Sequence, residues 1–335
     1  HDHAMAIWKY INEHDNGVTN FHFEISADLL DEEELELMAE MRPGLIQLEI
    51  GVQSTNPDTI REIRRKTDLN RLKSVVERIH GFGNIHCHLD LIAGLPYEGY
   101  ESFRNSFNEV YEMKPDQLQL GFLKVLKGSF MAENAKAYGL VYSAKQPYEV
   151  LGTKWLDYGS LLKLKGVEEM VEVYENSGQF TVTMKELVKE FNTPFDLFSD
   201  LAEYYETHTL TGASHSRMAR YEILDGFVAE HIPGKAAVYR RLMVYDLYLR
   251  ENLKSRPDFA EDQTPFKEQV REFFTEEAVK HRYLSDGYEG FEARQLIKMA
   301  HLEVFAGKTA VLFDYRKRDP LSYNAAAYVI EDFFN

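Results

Sequence analysis

Cysteine is almost absent from this 335-residue chain, and Cys87 is the single copy. One thiol excludes an intrachain disulfide, and it excludes any all-cysteine zinc or iron–sulfur site built from this chain alone. The scarcity matches a reducing compartment, so a cytoplasmic location is expected. Long apolar runs are also lacking. No uninterrupted stretch approaches the roughly 20 residues of a membrane-spanning helix, and no membrane partner is expected. The start, His1-Asp2-His3-Ala4-Met5, has no basic head followed by an apolar stretch, so no secretory signal is expected. Positive charge is in deficit, with 38 Lys and Arg against 55 Asp and Glu and a net charge of -17. An acidic surface repels phosphate backbones, which argues against broad nucleic-acid binding. Apolar and aromatic side chains are plentiful. Hydrophobic residues make up 44%, with 20 Tyr and 21 Phe, enough to fill a sizeable core. The length suits one large α/β domain or two smaller ones.

The first third alternates segments of helical and strand character. Helical patterns cover residues 4–15, Asp31 to Met41, Asn56 to Arg65, Leu69 to His80 and Ser102 to Met113. Strand patterns cover 19–26, Leu45 to Ile50, Asn84 to Ile92 and Gln117 to Val125. This βαβαβαβ order predicts a parallel sheet with helices packed outside it. Periodicity does not decide between an open sheet and a barrel. Beyond about residue 145 strand patterns become rare. Helices are predicted at Leu162 to Asn176, Met184 to Phe191, Thr193 to His208, Ser214 to His231, Ala236 to Asn252 and Phe266 to Lys280. Lys254 to Pro265 reads as an exposed loop or linker. The tail offers a hairpin, His301 to Phe305 and Ala310 to Tyr315, around Gly307. The expected domains are 1–145, a partial barrel, and 150–335, mostly helical. No internal repeat is evident.

Several motifs carry candidate chemistry. Glu49-Ile50-Gly51-Val52-Gln53-Ser54 ends a strand on a polar amide, and strand C-termini are where barrels and α/β sheets bind ligands. Taken alone, Gln53 reads as well as a satisfied loop residue. Asp90-Leu91-Ile92-Ala93-Gly94-Leu95-Pro96 sets a carboxylate inside an apolar strand, costly unless something pairs with it. A purely structural strand–turn–helix junction explains that motif equally well. Period two puts His86, His88 and Asp90 on one face and Cys87, Leu89 and Leu91 on the other. Two histidines and a carboxylate suit a divalent metal, but successive same-face positions lie far apart for one ion. His88 and Asp90 facing a barrel interior is the favoured reading. Glu24 sits near a strand end, Arg61 to Arg65 is a basic run, and Leu123-Lys124-Val125-Leu126-Lys127-Gly128-Ser129 leads into a Gly-Ser loop without phosphate-loop spacing.

The order of these motifs from His3 to Met131 resembles the radical S-adenosylmethionine (SAM) superfamily. It is most similar to the branch of oxygen-independent coproporphyrinogen oxidase and the cobalamin-binding radical SAM proteins. The pairing of Gly-Val-Gln-Ser with Asp-Leu-Ile-x-Gly-Leu-Pro carries most of the resemblance. The part after about residue 150 resembles the helical extension of a cobalamin-linked subgroup. The resemblance implies a partial TIM-like (β/α) barrel followed by a mainly helical domain. It implies an enzyme that cleaves SAM reductively to a 5′-deoxyadenosyl radical, using a [4Fe-4S] cluster held by a Cys-x3-Cys-x2-Cys loop. By matching positions, Glu24 would lie near the methionine or ribose of SAM, and Gln53 and Asp90 would bind ribose hydroxyls. Arg65 would pair with the methionine carboxylate, Gly94 would allow close approach, and backbone around Lys124 would meet the adenine edge. Cobalamin is implied by the subgroup alone, since no Asp-x-His-x-x-Gly signature occurs here.

The departure from the family is the missing cysteine loop. It implies a fragment of a longer enzyme, with the barrel's first strands and the cluster ligands in an N-terminal part of the same parent chain. That part is the expected partner, beside a small-molecule substrate whose identity is open. The alternatives are a non-catalytic degenerate barrel serving as a scaffold, or a metal-dependent α/β enzyme using His86, His88 and Asp90. In the truncated-enzyme reading this chain is inactive by itself and holds no cofactor tightly. Reconstitution with iron and sulfide should therefore leave far less than one cluster per chain, and calorimetry should show SAM binding weaker than micromolar. A stoichiometric cluster would contradict this reading.

Overall fold

The computed structural model describes residues 2–334; His1, at the head of the start segment considered above, lies outside the described residues. The chain divides into two compact units, one of residues 1–177 and 188–209, the other of residues 178–187 and 210–335. The change of sequence texture at 145–150 lies inside the first unit. Its helices at Tyr158–Met170 and Pro194–Thr207 pack on each other and, through the latter, on the sheet's own helix layer.

The first unit begins with helix α1 (Asp2–Glu13), followed by strand β1 (Phe21–Ile25), helix α2 (Glu32–Ala39) and strand β2 (Ile46–Gln53). Helices α3 (Pro57–Glu62) and α4 (Leu69–Phe82), strand β3 (His86–Ala93), helix α5 (Tyr100–Tyr111) and strand β4 (Gln117–Phe122) follow. Local sequence explains the boundaries. Asp31 and Glu34 form a reciprocal capping box on α2. Asn56 caps α3, with Pro57 in its first turn, and Asp68 caps α4, which Gly83 ends at φ 68°.

The four strands are parallel and lie in the order β1-β2-β3-β4. Sequential order with right-handed crossovers puts every connecting helix on one side, as in a β/α barrel wall rather than a doubly wound sheet, whose order reverses. The alternation is in phase across the sheet. Leu48 pairs with Cys87, and Ile50 with Leu89, and these point into the helix layer fully buried. Glu24, Glu49 and His88 fall in one row on the opposite face, with Gly51, Asp90 and Gln119 in the next row but one along the strands. The sheet is thus of barrel type, and the mixed apolar and polar strands are read correctly by period two.

The helix layer is closed by aromatics. Phe107 of α5 meets Phe195 at 5.4 Å and Phe198 at 5.8 Å, both edge-on, and all three rings are buried. Tyr174 and Tyr205 share a buried hydroxyl hydrogen bond of 2.8 Å. Beyond Phe122 the chain leaves the parallel ladder rather than running on as a strand to Val125. Leu123 still donates to Ala93 O, but its own carbonyl accepts from Val150 N, and Val125 N donates to Tyr148 O. A small antiparallel pair, β5 (Val141–Tyr142) and β6 (Val150–Gly152), is not evident in the sequence pattern because it is too short to show a period.

The second unit is helical up to Lys280, with helices Thr181–Leu187, Arg217–His231, Ala236–Arg250 and Lys267–Lys280. The predicted hairpin is present as β7 (Ala300–Phe305) and β8 (Thr309–Arg318), and β9 (Ala325–Ile330) adds a third antiparallel strand. The segment 254–265 is irregular but anchored: Arg256 grips buried Glu303 with two bonds of 2.7 and 2.8 Å and also reaches the Tyr248 hydroxyl. No described helix is long and apolar enough to cross a membrane.

Buried Asp246 organises this unit. Its carboxylate accepts from Val182 N at 2.9 Å and Thr183 N at 2.7 Å, satisfying the first amides of helix Thr181–Leu187 from a distant helix. Burial nevertheless pushes its carboxyl up to about 6. Asp246→Ala would leave both amides without a partner, so it should lower stability by about 2 kcal/mol. Thermal melting followed by circular dichroism, with a clear drop in Tm expected, checks this.

Candidate functional site

Gly51 is the centre of the candidate site. It stands on β2 beside Asp90 of β3, one residue before a register shift that places Gln53 opposite Leu91. A Cβ built on Gly51 would lie 2.6 Å from the Gln53 Nε2 atom and 3.4 Å from a guanidinium nitrogen of Arg65. With no Cβ there, the Gln53 amide lies close over the strand beside Arg65, and a larger residue would push that amide aside. Gln53 itself has φ 70°, a left-handed backbone that a non-glycine residue adopts at a cost of about 1 kcal/mol or more. That bend turns its amide back over Gly51.

Arg65 does not lie on a helix. Helix α3 ends at Glu62, Arg64 has φ 59°, and Arg65 N donates to Ile60 O at 3.1 Å. The prediction of a helix through Arg65 is corrected by this tight turn. The three arginines diverge instead of forming one basic face. Arg61 pairs with Asp58, the Arg64 guanidinium stacks over Phe130 at 4.1 Å, and Arg65 turns toward the strand ends.

A cavity of about 450 Å³ joins these groups, lined by Glu24, Glu49, Gly51, Gln53, Arg65 and Asp90 among others. A neighbouring cavity of about 520 Å³ shares Gln53, Asp90 and Ile92 and extends to Lys124 and Glu149. A third, about 890 Å³, shares Arg65 and is lined also by Arg61, Arg64 and Lys66. The structure therefore gathers Glu24, Gln53, Arg65 and Asp90 around one hollow and sets Lys124 in the next. Gly94 is different. Its φ is 90°, and a Cβ there would strike Val150 Cγ1 at 2.7 Å, so its role is packing against β6 rather than close approach to a ligand. It lines neither cavity.

Two acids that the sequence reading gave no role complete the picture. Glu49 lies on the same strand face as Gly51, and its carboxylate bonds His22 Nε2 at 2.8 Å. Period two alone would have flagged it. Glu98 is 1% exposed and accepts from the hydroxyls of Ser54 at 2.6 Å and Ser106 at 3.0 Å. With Asn56 Nδ2 donating to Tyr97 O, it ties the Gln53 turn to the Gly-Leu-Pro turn. Desolvation pushes its carboxyl up to about 7 despite those donors.

The structure does not support a metal on His86, His88 and Asp90. Among the described residues these three do not bring one ligand atom each within 4.8 Å of one another. Among the described residues the group of three whose ligand atoms all fall within 4.8 Å of one another is His80, Cys87 and Asp116, on the helix side of the sheet. His86 and His88 instead meet ring to ring at 4.8 Å. Burial and the neighbouring imidazoles His86 and His22 hold His88 down to about 4, so it is neutral near pH 7.

Asp90 is one of several buried polar side chains that the protein leaves partly unpaired. Its Oδ1 atom is buried and has no hydrogen-bond partner. Desolvation, then the charge of Glu49 and a bond with it, and then Glu24 push its carboxyl up to about 7. A hydrogen-bond donor in the hollow would satisfy that oxygen. The sign for stability follows. The unfolded carboxyl titrates near 3.8, so the folded state pays a charging cost that grows from there and is complete above about pH 7. Asp90→Asn should raise Tm at pH 8 and leave it nearly unchanged near pH 3, below the unfolded value of 3.8; an equal gain at both values would contradict this origin of the shift.

Comparison with known proteins agrees with this layout. The family model described as "Protein of unknown function (DUF4080)" matches residues 136–320, and the radical SAM superfamily model matches residues 1–110. The oxygen-independent coproporphyrinogen III oxidase of Salmonella typhimurium is 30% identical over 138 residues, covering 39% of this chain and 30% of that protein. The oxygen-independent coproporphyrinogen-III oxidase-like protein HemZ of Bacillus subtilis is 30% identical over 178 residues, covering 41% and 34%. This chain thus spans about a third of the length of the curated relatives it matches. The solved coproporphyrinogen III oxidase of Escherichia coli aligns with a TM-score of 0.37 at 19% identity, over 48% of this chain and 35% of that one. With more than half its length matched by one family model, and the strands that carry the hollow matched by another, the chain belongs to the DUF4080 family and carries part of a radical SAM domain at its N-terminal end.

Proposed function

We propose that residues 20–125 form the SAM-cradling part of a radical SAM active centre. The observation that carries this reading is the Gly51 gap, over which the Gln53 amide and the Arg65 guanidinium lie beside a buried, unpartnered carboxylate oxygen of Asp90. Each group suits one part of SAM. Arg65 offers paired donors to the methionine carboxylate. Asp90 accepts from the ribose hydroxyls, which would supply the bond that Oδ1 lacks. The Gln53 amide both donates and accepts at the same sugar. Glu24 balances the positive sulfonium and amino end. Main chain beside Lys124, past the end of β4, offers the edge contacts that adenine needs.

A four-iron cluster, when bound, supplies the electron that breaks the sulfonium bond. Cys87 does not serve it. The thiol lies on the helix side of β3, facing away from the hollow. The cluster ligands are therefore proposed to come from sequence outside these residues. The roles left to this chain are to bind and orient SAM and to keep water from the reacting carbon. Reductive cleavage of SAM, a substrate of small-molecule type and use of cobalamin belong to the same proposal.

The test joins this chain to its genomically encoded upstream Cys-x3-Cys-x2-Cys segment, with the cluster reconstituted anaerobically and a chemical reductant added. Formation of 5′-deoxyadenosine from SAM is expected, with Arg65→Ala raising the SAM requirement at least about tenfold. No 5′-deoxyadenosine from a protein with a full cluster, or an upstream frame with no such cysteines, would overturn the proposal.

A further inference from the structure

The opposite end and opposite face of the sheet hold a second constellation that the SAM proposal does not use. His80 closes the last turn of α4, Cys87 is the second residue of β3, and Asp116 stands just before β4. Their candidate ligand atoms all lie within 4.8 Å of one another. His80 Nε2 and Asp116 Oδ2 are 4.0 Å apart. The Nε2 atom is shielded from solvent and has no hydrogen-bond partner. Asp116 is already oriented, since its Oδ2 accepts from Cys87 N at 2.8 Å while Asp116 N donates to Cys87 O at 3.0 Å. One thiol, one imidazole and one carboxylate thus converge with their backbones fixed.

We propose that His80, Cys87 and Asp116 form a site for one zinc-like divalent cation. Zinc takes sulfur at about 2.3 Å and nitrogen or oxygen at about 2.0–2.2 Å, so tetrahedral ligands stand about 3.3–3.8 Å apart. The observed triangle closes on such an ion with shifts of several tenths of an ångström to about 1 Å. Asp116 and His80 keep 37% and 24% of their side-chain surface exposed, so the triangle lies near the surface, and a zinc ion held by three protein ligands would take water as its fourth. On binding, the metal–sulfur bond forms as the thiol proton leaves to solvent. A sulfur–nitrogen–oxygen set favours zinc or cobalt over magnesium or calcium, which prefer oxygen alone. Lying at the N-terminal ends of the strands, the ion would tie α4, β3 and β4 together without touching the hollow at their other ends.

Because Cys87 is the single cysteine in the sequence, a spectroscopic test is unambiguous. The chelator-treated chain is titrated with Co²⁺ under reducing conditions. The expected result is a thiolate-to-cobalt charge-transfer band that saturates at one ion per chain and is displaced by Zn²⁺. Cys87→Ser should abolish the band. His80→Ala and Asp116→Asn, which keep the thiol, should each weaken binding at least about tenfold. Cobalt held by the His22, His86 and His88 group gives no thiolate band and is thereby told apart. Absence of the band at saturating Co²⁺, or a band unaltered in both His80→Ala and Asp116→Asn, would overturn the proposal. Either result leaves the SAM proposal standing, since no residue is shared.

Discussion

Everything at the candidate site depends on the register of four parallel strands. Leu48 opposite Cys87 and Gly51 opposite Asp90 fix which side chains enter the helix layer and which line the hollow. A slip of one residue in β3 would bury His88 and Asp90 among Phe103, Phe107 and the α4 aliphatics, and would turn Cys87 and Leu89 outward. The apolar half of each alternation therefore does more than build a core. By insisting on burial, Leu48, Ile50, Leu89 and Leu91 hold the polar half at the opposite face. The same register makes possible the two constellations described here, one at the strand C-termini and one at the other end behind β3.

The electrostatic cost of that arrangement is concentrated in a few carboxyls. Asp90 and Glu98 are both pushed up to about 7, but for different ends. Glu98 Oε1 is held by two hydroxyls and joins two turns, while its Oε2 is also buried and unpartnered but lines neither cavity at the strand ends. Asp90 has an oxygen that nothing in the protein satisfies, facing a hollow that also contains Arg65 and the Gln53 amide. Both carboxyls are desolvated, and only Asp90 opens onto space for a ligand. The unpartnered oxygen of Asp90 and the left-handed backbone of Gln53 thus meet at the same hollow.

Much of the first unit is legible in the sequence because its signals are local and periodic. The alternation of 84–92, the caps at Asp31 and Asp68, and Gly51 followed by Gln53 all announce themselves over a few residues. The turn at Arg64 is not legible, because Arg61 to Arg65 has helical spacing and only the φ of 59° breaks it. Gly94 shows how little a glycine says by itself. A glycine shows that a Cβ is unwelcome but not whether a ligand or, as here, Val150 fills the space. Glu49 has a visible phase but no neighbours until β1 and β3 are placed beside it. His80 and Asp116 are 36 residues apart in sequence, and their meeting at Cys87 is a product of topology alone. The third strand of the C-terminal sheet, Ala325–Ile330, opens on three alanines of low strand propensity, and pairing with β8 carries them into the sheet.

The central claim is that the strand ends around Gly51 receive SAM. Amide hydrogen exchange of the chain joined to its upstream cluster-binding segment, with the cluster loaded, in the presence and absence of a saturating concentration of SAM tests it most directly. The account predicts added protection confined to peptides covering Gly51–Ser54, Asp90–Gly94 and Leu123–Val125, with none over Cys87 or the β7–β9 sheet. Protection elsewhere with none at those three segments would contradict it.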